Sequence, residues 1–549
     1  MIPQDLESFN RARPAHGNPS SRKRQLAAPP RPQREYDLTM TQWPRLSTVV
    51  LFAFLWCGVA CGGDDKADVI GGGGTSGGGV GATAGSGGSG GSGGSAGSGG
   101  SNSTSGGPLG ISEDGHWLQF RGRSVLLAGD SITQGWMELG ANFNQTAYLD
   151  ALASRGIQVM MLWAFIGVED QQADPRIGYD APEIWPWPQD SNGFDLGAFN
   201  DSYFQRLRSL VSEADDRDIV VLLTIHDGWT KTRFAGHPFN VTLGGPLTDG
   251  AQYVELHDYQ SELTGSFDPG WSRPQKHQFY LEQFCERLIS ETGDLPNVMY
   301  EMFNEGEWYD QVALRAFQVH FLDFFDGRTP QPLLVNDDHV GGADFRGEAK
   351  ADVITLHHPL WTPSISASES FNHYAPQFGD TPVKPAFFSE PVPSFEGNAG
   401  EQDATMRLMW GTLMGGAGFV VQNDTSFGFD PNTTMASLSA ERDAILDLEG
   451  HAARFFSEGL TSLEGLAPNA TGCSTGICLV RPGDTYIAYL ENGSSLTVDV
   501  SATSGELEAR FYDPRSGTFE PPIQVWTHSP VEPFQAPSVG DWVLLVRQL

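Results

Sequence analysis

Cysteine is scarce in this chain, five in 549 residues, which excludes a small disulfide-stapled scaffold. Basic side chains are also few: 33 Lys and Arg stand against 68 Asp and Glu, for a net charge of −35. A nucleic-acid partner needs a basic patch to neutralise its phosphates, so this balance excludes one. Long apolar runs are missing too. The most pronounced, Leu46 to Ala60, is interrupted by Ser47 and Thr48 and falls short of the ~20 residues that a membrane-spanning helix needs. His and Cys do not cluster at metal-ligand spacing, so neither a metal nor a cofactor is expected.

Glycine, by contrast, is abundant: 66 residues, about 12% against a usual level of about 7%. The excess is local. Residues 71–107 are almost pure Gly and Ser, and a segment without apolar side chains cannot bury a core, so 62–108 reads as a flexible linker. Ahead of it, residues 1–39 are polar, Pro- and Arg-rich and unpatterned, and Met40 offers an alternative start. Residues 40–61 combine a basic residue, Arg45, a short apolar stretch and small residues before Cys61, the features of an export signal. Gly58-Val-Ala-Cys61 resembles a bacterial lipobox, although Gly58 stands where that motif usually has Leu. The resemblance implies lipidation of Cys61 and a membrane anchor; simple secretion is the alternative. Residues 1–60 carry eight basic and four acidic side chains, so their removal takes the net charge from −35 to −39. The expected product is an exported acidic body, monomeric, on a long tether.

From residue 109 short apolar runs alternate with amphipathic segments, the signature of a parallel sheet with crossover helices. Eight runs are countable: 124–130, 157–165, 219–227, 297–305, 332–337, 353–358, 385–390 and 418–424. Helical patterns cover 148–155, 203–214, 278–291, 312–325 and 404–414; the stretches after the fifth and sixth runs are weakly patterned. Eight such units predict a (β/α)8 barrel over 109–450. Nearly every run ends polar: Asp130, His226-Asp227, Asn304-Glu305, Asn336-Asp337, His357-His358, Glu390 and Asn423-Asp424. In such a barrel these C-terminal strand ends line the active site.

Tyr300-Glu-Met-Phe-Asn304-Glu305-Gly closes the fourth run and Phe387-Phe-Ser-Glu390-Pro391 the seventh. Two carboxylates facing each other across a barrel mouth suit retaining glycoside hydrolysis, one protonating the leaving oxygen and one attacking the anomeric carbon. Over about 110–430 the chain resembles clan A of the glycoside hydrolases, most of all its cellulase-type and apiosidase-like branch. That resemblance implies Glu305 as acid/base, Glu390 as nucleophile and Asn304 as a hydrogen-bond partner of the sugar 2-hydroxyl. It also implies pocket contacts from His226, His357 and His358, and from Asp130 in the Gly-Asp after strand one. Many clan members end strand eight in a Trp beneath the sugar; here Asn423 takes that end. Partial burial and the neighbouring Glu390 carboxylate are expected to raise the Glu305 pKa, keeping it protonated as an acid.

Aromatic residues follow the strand ends. Trp136 comes after the first, Trp185 and Trp187 in the long insert 166–200 after the second, and Trp229 after the third. Trp308 and Trp361 follow the fourth and sixth. Indole rings offer apolar area with a polar handle, which suits the C–H faces of sugars, so these are expected to line the cleft.

Gly129-Asp130-Ser131-Ile-Thr-Gln-Gly135 resembles the first block of the GDS-type esterases, which would make Ser131 the nucleophile and Asn336-Asp-Asp-His339 the source of a base. That reading leaves Glu305 and Glu390 unexplained. A surface carbohydrate-binding protein with a spent site is the other alternative. Past residue 451 the pattern becomes alternating strands with Asn492-Gly493 and Asp513–Gly517 turns, which predicts a small antiparallel β-sandwich over 451–549. It resembles the domain labelled collagen-binding that follows apiosidase-like barrels, most recognisably at Phe511-Tyr-Asp-Pro-Arg515. Cys473 and Cys478 are close enough in sequence to bridge a hairpin in an oxidising compartment. Cys285 reads as a buried thiol.

Overall fold

The computed structural model describes residues 108–125, 128–131, 144–164, 184–226, 236–245, 276–304, 311–337, 345–356, 365–389, 399–422, 440–526 and 529–549. The N-terminal extension, the export signal with Cys61 and the Gly/Ser linker lie outside these residues.

Eight parallel strands close into a barrel in sequence order: Ala128–Ser131, Val159–Trp163, Val220–Thr224, Val298–Glu301, Leu333–Asn336, Val353–Leu356, Ala386–Phe388 and Gly418–Gln422. Closure comes where the fourth strand pairs with the fifth and the eighth with the first. The strands are covered on both sides, which is why they read as continuous apolar runs rather than alternating ones. Alternation still separates their faces. Val159, Met161, Trp163, Val220, Leu222, Met299, Leu334, Val353 and Val420 fill the barrel interior. Met160, Leu162, Val221, Val298, Tyr300 and Val335 face the helix layer.

The first apolar run divides. Arg123–Val125 belongs to a three-stranded antiparallel sheet with Gly110–Ile111 and Leu118–Phe120, and the barrel strand starts only at Ala128. Arg121 and Gly122, with positive φ of 53° and 73°, make the two-residue turn that pairs Leu118–Phe120 with Arg123–Val125, the geometry that joins tightly twisted hairpins. Leu109, Leu118 and Phe120 from this sheet share the interior cluster and so plug the N-terminal end of the barrel.

Helices Gln145–Arg155, Asp201–Asp215, Lys276–Thr292, Gln311–Phe325 and Ala399–Met414 follow strands one, two, three, four and seven. A further helix, Ala367–Phe378, follows strand six, started by a capping box between Ser366 and Glu369. After strand five the described residues contain no helix. The helix Ala440–Gly459 runs across residue 450, where the sequence reading changes domain, and the C-terminal sheet begins at Ala467.

That sheet is antiparallel throughout, in the order Ala467–Pro468, Cys478–Arg481, Thr485–Asp499, Val531–Gln548, Leu507–Asp513, Thr518–Phe519, with Ile523–Val525 also paired to Leu507–Asp513. Its two long strands slip register between Leu490 and Ser495. Beyond this bend Leu496, Val498 and Phe534 pack onto Val480, Tyr486, Phe511 and Leu544, closing a sandwich. Cys473 and Cys478 are joined by a disulfide, and Cys285 is a buried thiol. Among the described residues no helix is long and apolar enough to cross a membrane.

Candidate active site at the C-terminal mouth of the barrel

Strands three and four are locked together at their C-terminal ends. Thr224 donates from Oγ1 to Glu301 Oε2 at 2.6 Å. The Ile225 N–H donates to the Glu301 carbonyl at 3.0 Å, and the Asn304 N–H to the His226 carbonyl at 2.9 Å. Because Met299 faces the interior, two-residue alternation turns Glu301 inward as well. It is fully buried. Strand five is anchored from behind: the Gln318 amide brackets Asn336, donating to its carbonyl and accepting from its N–H, each at 2.8 Å.

Asn304 is fully buried, one residue before Glu305. His226 is also buried, its ring packed against Phe303 at 4.8 Å and Phe317 at 5.2 Å. Desolvation pushes its pKa down to about 3, so the imidazole is neutral at physiological pH. A neutral ring offers one donor and one acceptor, suited to hydroxyl partners.

Other residues fall elsewhere than expected. Asp130 is fully buried and accepts a hydrogen bond from the Tyr148 hydroxyl on the following helix. It lies on the outward, helix-facing side of strand one, level with Val421 rather than with inward Val420, so it braces the helix layer instead of facing the mouth. Trp187 is 1% exposed, packed on Phe239 and Phe284, and a ring covered on both counts has no face left for a sugar. Trp185 is half-buried, edge-on to Phe194 at 4.8 Å. The insert therefore supplies part of the core as well as a loop.

Glu305, Glu390, His357, His358, Trp136, Trp229, Trp308, Trp361 and Asn423 lie outside the described residues. Ser389, directly before Glu390, is fully buried.

The described residues do not assemble the esterase arrangement, and His339 lies outside them. Ser131 is the last residue of strand one and fully buried. Its hydroxyl has no hydrogen-bond partner among the described residues, whereas a nucleophilic Ser needs a base within hydrogen-bond reach and an open approach. Three or more His, Cys, Asp or Glu side chains do not gather at metal-binding distance among the described residues.

The sequence marks Glu301 as a further acid on strand four, pointing less favourably than Glu305; the structure turns it inward onto Thr224. Thr224 carried no expectation of its own.

Residues 471–547 match a family described as "Putative collagen-binding domain of a collagenase". No curated protein matches the chain. Solved structures do. One is a family 5 glycoside hydrolase from Bacteroides vulgatus, 13% identical, with 80% of this chain and 93% of that chain covered at a TM-score of 0.54. Another, described as a glycoside hydrolase, is 14% identical, with 80% and 97% covered at a TM-score of 0.54. At such identities the likeness is one of fold: the chain shares the (β/α)8 barrel of the clan A glycoside hydrolases, followed by an antiparallel C-terminal sheet.

Proposed function

We propose that this protein is a retaining glycoside hydrolase acting on poly- or oligosaccharides, with Glu305 as acid/base and Glu390 as nucleophile. The observation that carries the reading is one of register. Glu305 follows buried Asn304 beyond strand four, and Glu390 follows buried Ser389 beyond strand seven. Those strands stand three places apart around a closed eight-stranded barrel, so residues at their C-terminal ends face each other across the mouth. Glu305 protonates the glycosidic oxygen as Glu390 attacks the anomeric carbon, forming a glycosyl ester. Water then enters, Glu305 takes its proton, and the ester opens with net retention. Esterification of Glu390 removes a neighbouring negative charge, which lowers the Glu305 pKa and fits it for the second role. Neutral His226 and Asn304 supply hydrogen bonds to sugar hydroxyls, and Trp136, Trp229, Trp308 and Trp361 form the cleft walls. The chain acts outside the cytoplasm, tethered through Cys61 and the Gly/Ser linker.

Separate Glu305→Gln and Glu390→Gln variants test this against a panel of aryl glycosides. Each is expected to lower kcat by about 10²–10⁴-fold or more. Full turnover by both would sink the assignment. Tight glycan binding without turnover by the unmodified chain would instead indicate a binding protein. Azide rescue of Glu390→Gly, yielding a glycosyl azide of inverted configuration, would identify the nucleophile.

A further inference from the structure

Where the C-terminal sheet lies against the barrel, both of its faces are occupied. Along its strands the side chains alternate between two destinations. Leu479, Ile487, Tyr489, Tyr512, Val543 and Leu545 enter the same hydrophobic core as the barrel helices. Their neighbours Val480, Tyr486, Ala488, Phe511, Leu544 and Val546 fill the core of the sandwich itself. The barrel side centres on Trp410, fully buried, with Tyr489 stacked 6.0 Å away and Phe455 edge-on at 5.3 Å. The Tyr512 hydroxyl donates to the His451 carbonyl at 2.7 Å. The part of the sheet that lies against the barrel is thus closed on both sides, while beyond the bend Asp499, Val531, Pro533 and Gln535 keep the outer face exposed.

A charged clamp crosses the same junction. Asp541 in the sheet is 1% exposed. It receives Arg407 Nε of the barrel helix Ala399–Met414 at 3.0 Å and Arg515 Nη2 of the sheet at 3.0 Å. The Asn492 N–H also donates to it, at 2.6 Å. Arg515 reaches on to Asp403, in the first half of that helix, at 3.0 Å. Next in line, Glu491 accepts from the Ala367 N–H at 3.1 Å, at the start of the helix after strand six. The two helices are themselves in close contact: a Cβ on Gly411 would lie 2.3 Å from the Ala367 carbonyl oxygen, and the Ser370 and Thr412 hydroxyls are hydrogen-bonded at 2.9 Å. The sheet thus grips the helices that follow strands six and seven in the chain.

We propose that the C-terminal sheet is a positioning element of the barrel, with Asp541 as the positioning residue that ties the helix after strand seven to the sheet. Through that helix it sets the strand-seven end on which Glu390 stands; this second step rests on the role assigned to Glu390 above. A buried carboxylate shared by two arginines is strongly destabilising when broken from one side, so the junction opens as a unit or not at all.

The test uses the full chain carrying Asp541→Asn. Hydrogen exchange is expected to accelerate by roughly a hundredfold in the sheet strands around 485–490 and 541–546 and, equally, in the helix 399–414. On the aryl glycoside that the unmodified chain turns over, kcat is expected to fall with KM unchanged, and Asp541→Glu is expected to restore much of it. Should Asp541→Asn not fold, Arg515→Gln removes one partly exposed cation and carries the same comparison. Acceleration confined to the sheet, or an unchanged kcat alongside coupled exchange, would overturn the proposal. If Glu390→Gln keeps full turnover, the assignment of Glu390 fails by itself, and the coupled exchange still decides whether the sheet is bound to the barrel as a unit.

Discussion

His226 shows how burial selects a protonation state. Its ring lies between Phe303 and Phe317, and desolvation takes its pKa from 6.5 to about 3. The unfolded chain therefore binds a proton near pH 6.5 that the folded chain refuses until about pH 3. In that window the unfolded state holds more protons, so stability rises with pH and is lost as pH falls. Between pH 8 and pH 5 the expected loss from this group is about 2 kcal/mol. Denaturant titrations of the native chain and of His226→Gln check it: the variant should lose less by that amount, and parallel losses would rule the effect out. The two tryptophans of the insert teach a related lesson. Sequence places Trp185 and Trp187 equally well for sugar stacking, yet Phe239 and Phe284 cover Trp187. A side chain's type sets what it offers, and only its neighbours set whether that offer is open.

At the level of elements, the barrel strands were legible because burial on both faces leaves a compact apolar run with a polar end, repeated eight times. The helix after strand six was not, since Pro376 stands inside it, a residue that ordinarily marks a helix end. Its start was nevertheless written in Ser366-Ala-Ser-Glu369, a capping-box spacing. The Ser366 hydroxyl accepts from the Glu369 N–H at 3.1 Å while Glu369 accepts from the Ser366 N–H at 2.8 Å. Ser366→Ala is expected to lower stability by about 1 kcal/mol, measured as a shift in urea midpoint with unchanged slope. A slope change would mean that the helix unfolds separately. The division of the first run was beyond the sequence reading because a continuous stretch carries no mark of where pairing passes from an antiparallel hairpin to the parallel barrel.

The whole molecule is acidic, with a net charge of −35. Self-repulsion on that scale disfavours the compact state. Raising ionic strength from 0.01 M to 0.15 M shortens the screening length from ~30 to ~8 Å. Tm is therefore expected to rise by a few °C, roughly what 1 kcal/mol of relieved repulsion gives. Differential scanning calorimetry at the two salt levels reads this directly, and a fall in Tm would show that attractive pairs such as Arg208 with Asp294 outweigh the repulsion.

Sequence by itself determined the eight barrel strands, the antiparallel module behind them and the polar strand ends, because each is a local pattern of burial repeated along the chain. It also singled out Asn304-Glu305 and Ser389-Glu390 by their place at strand ends. Tertiary structure alone decided which polar residues turn inward, retiring Asp130 to the helix layer and Ser131 to a closed interior. It likewise decided that one face of the C-terminal sheet is buried against the barrel. The reason is that a strand's alternation names two sides without saying what stands on either. Only folding brought Trp410 and Arg407 to one side of the sheet and the sandwich core to the other.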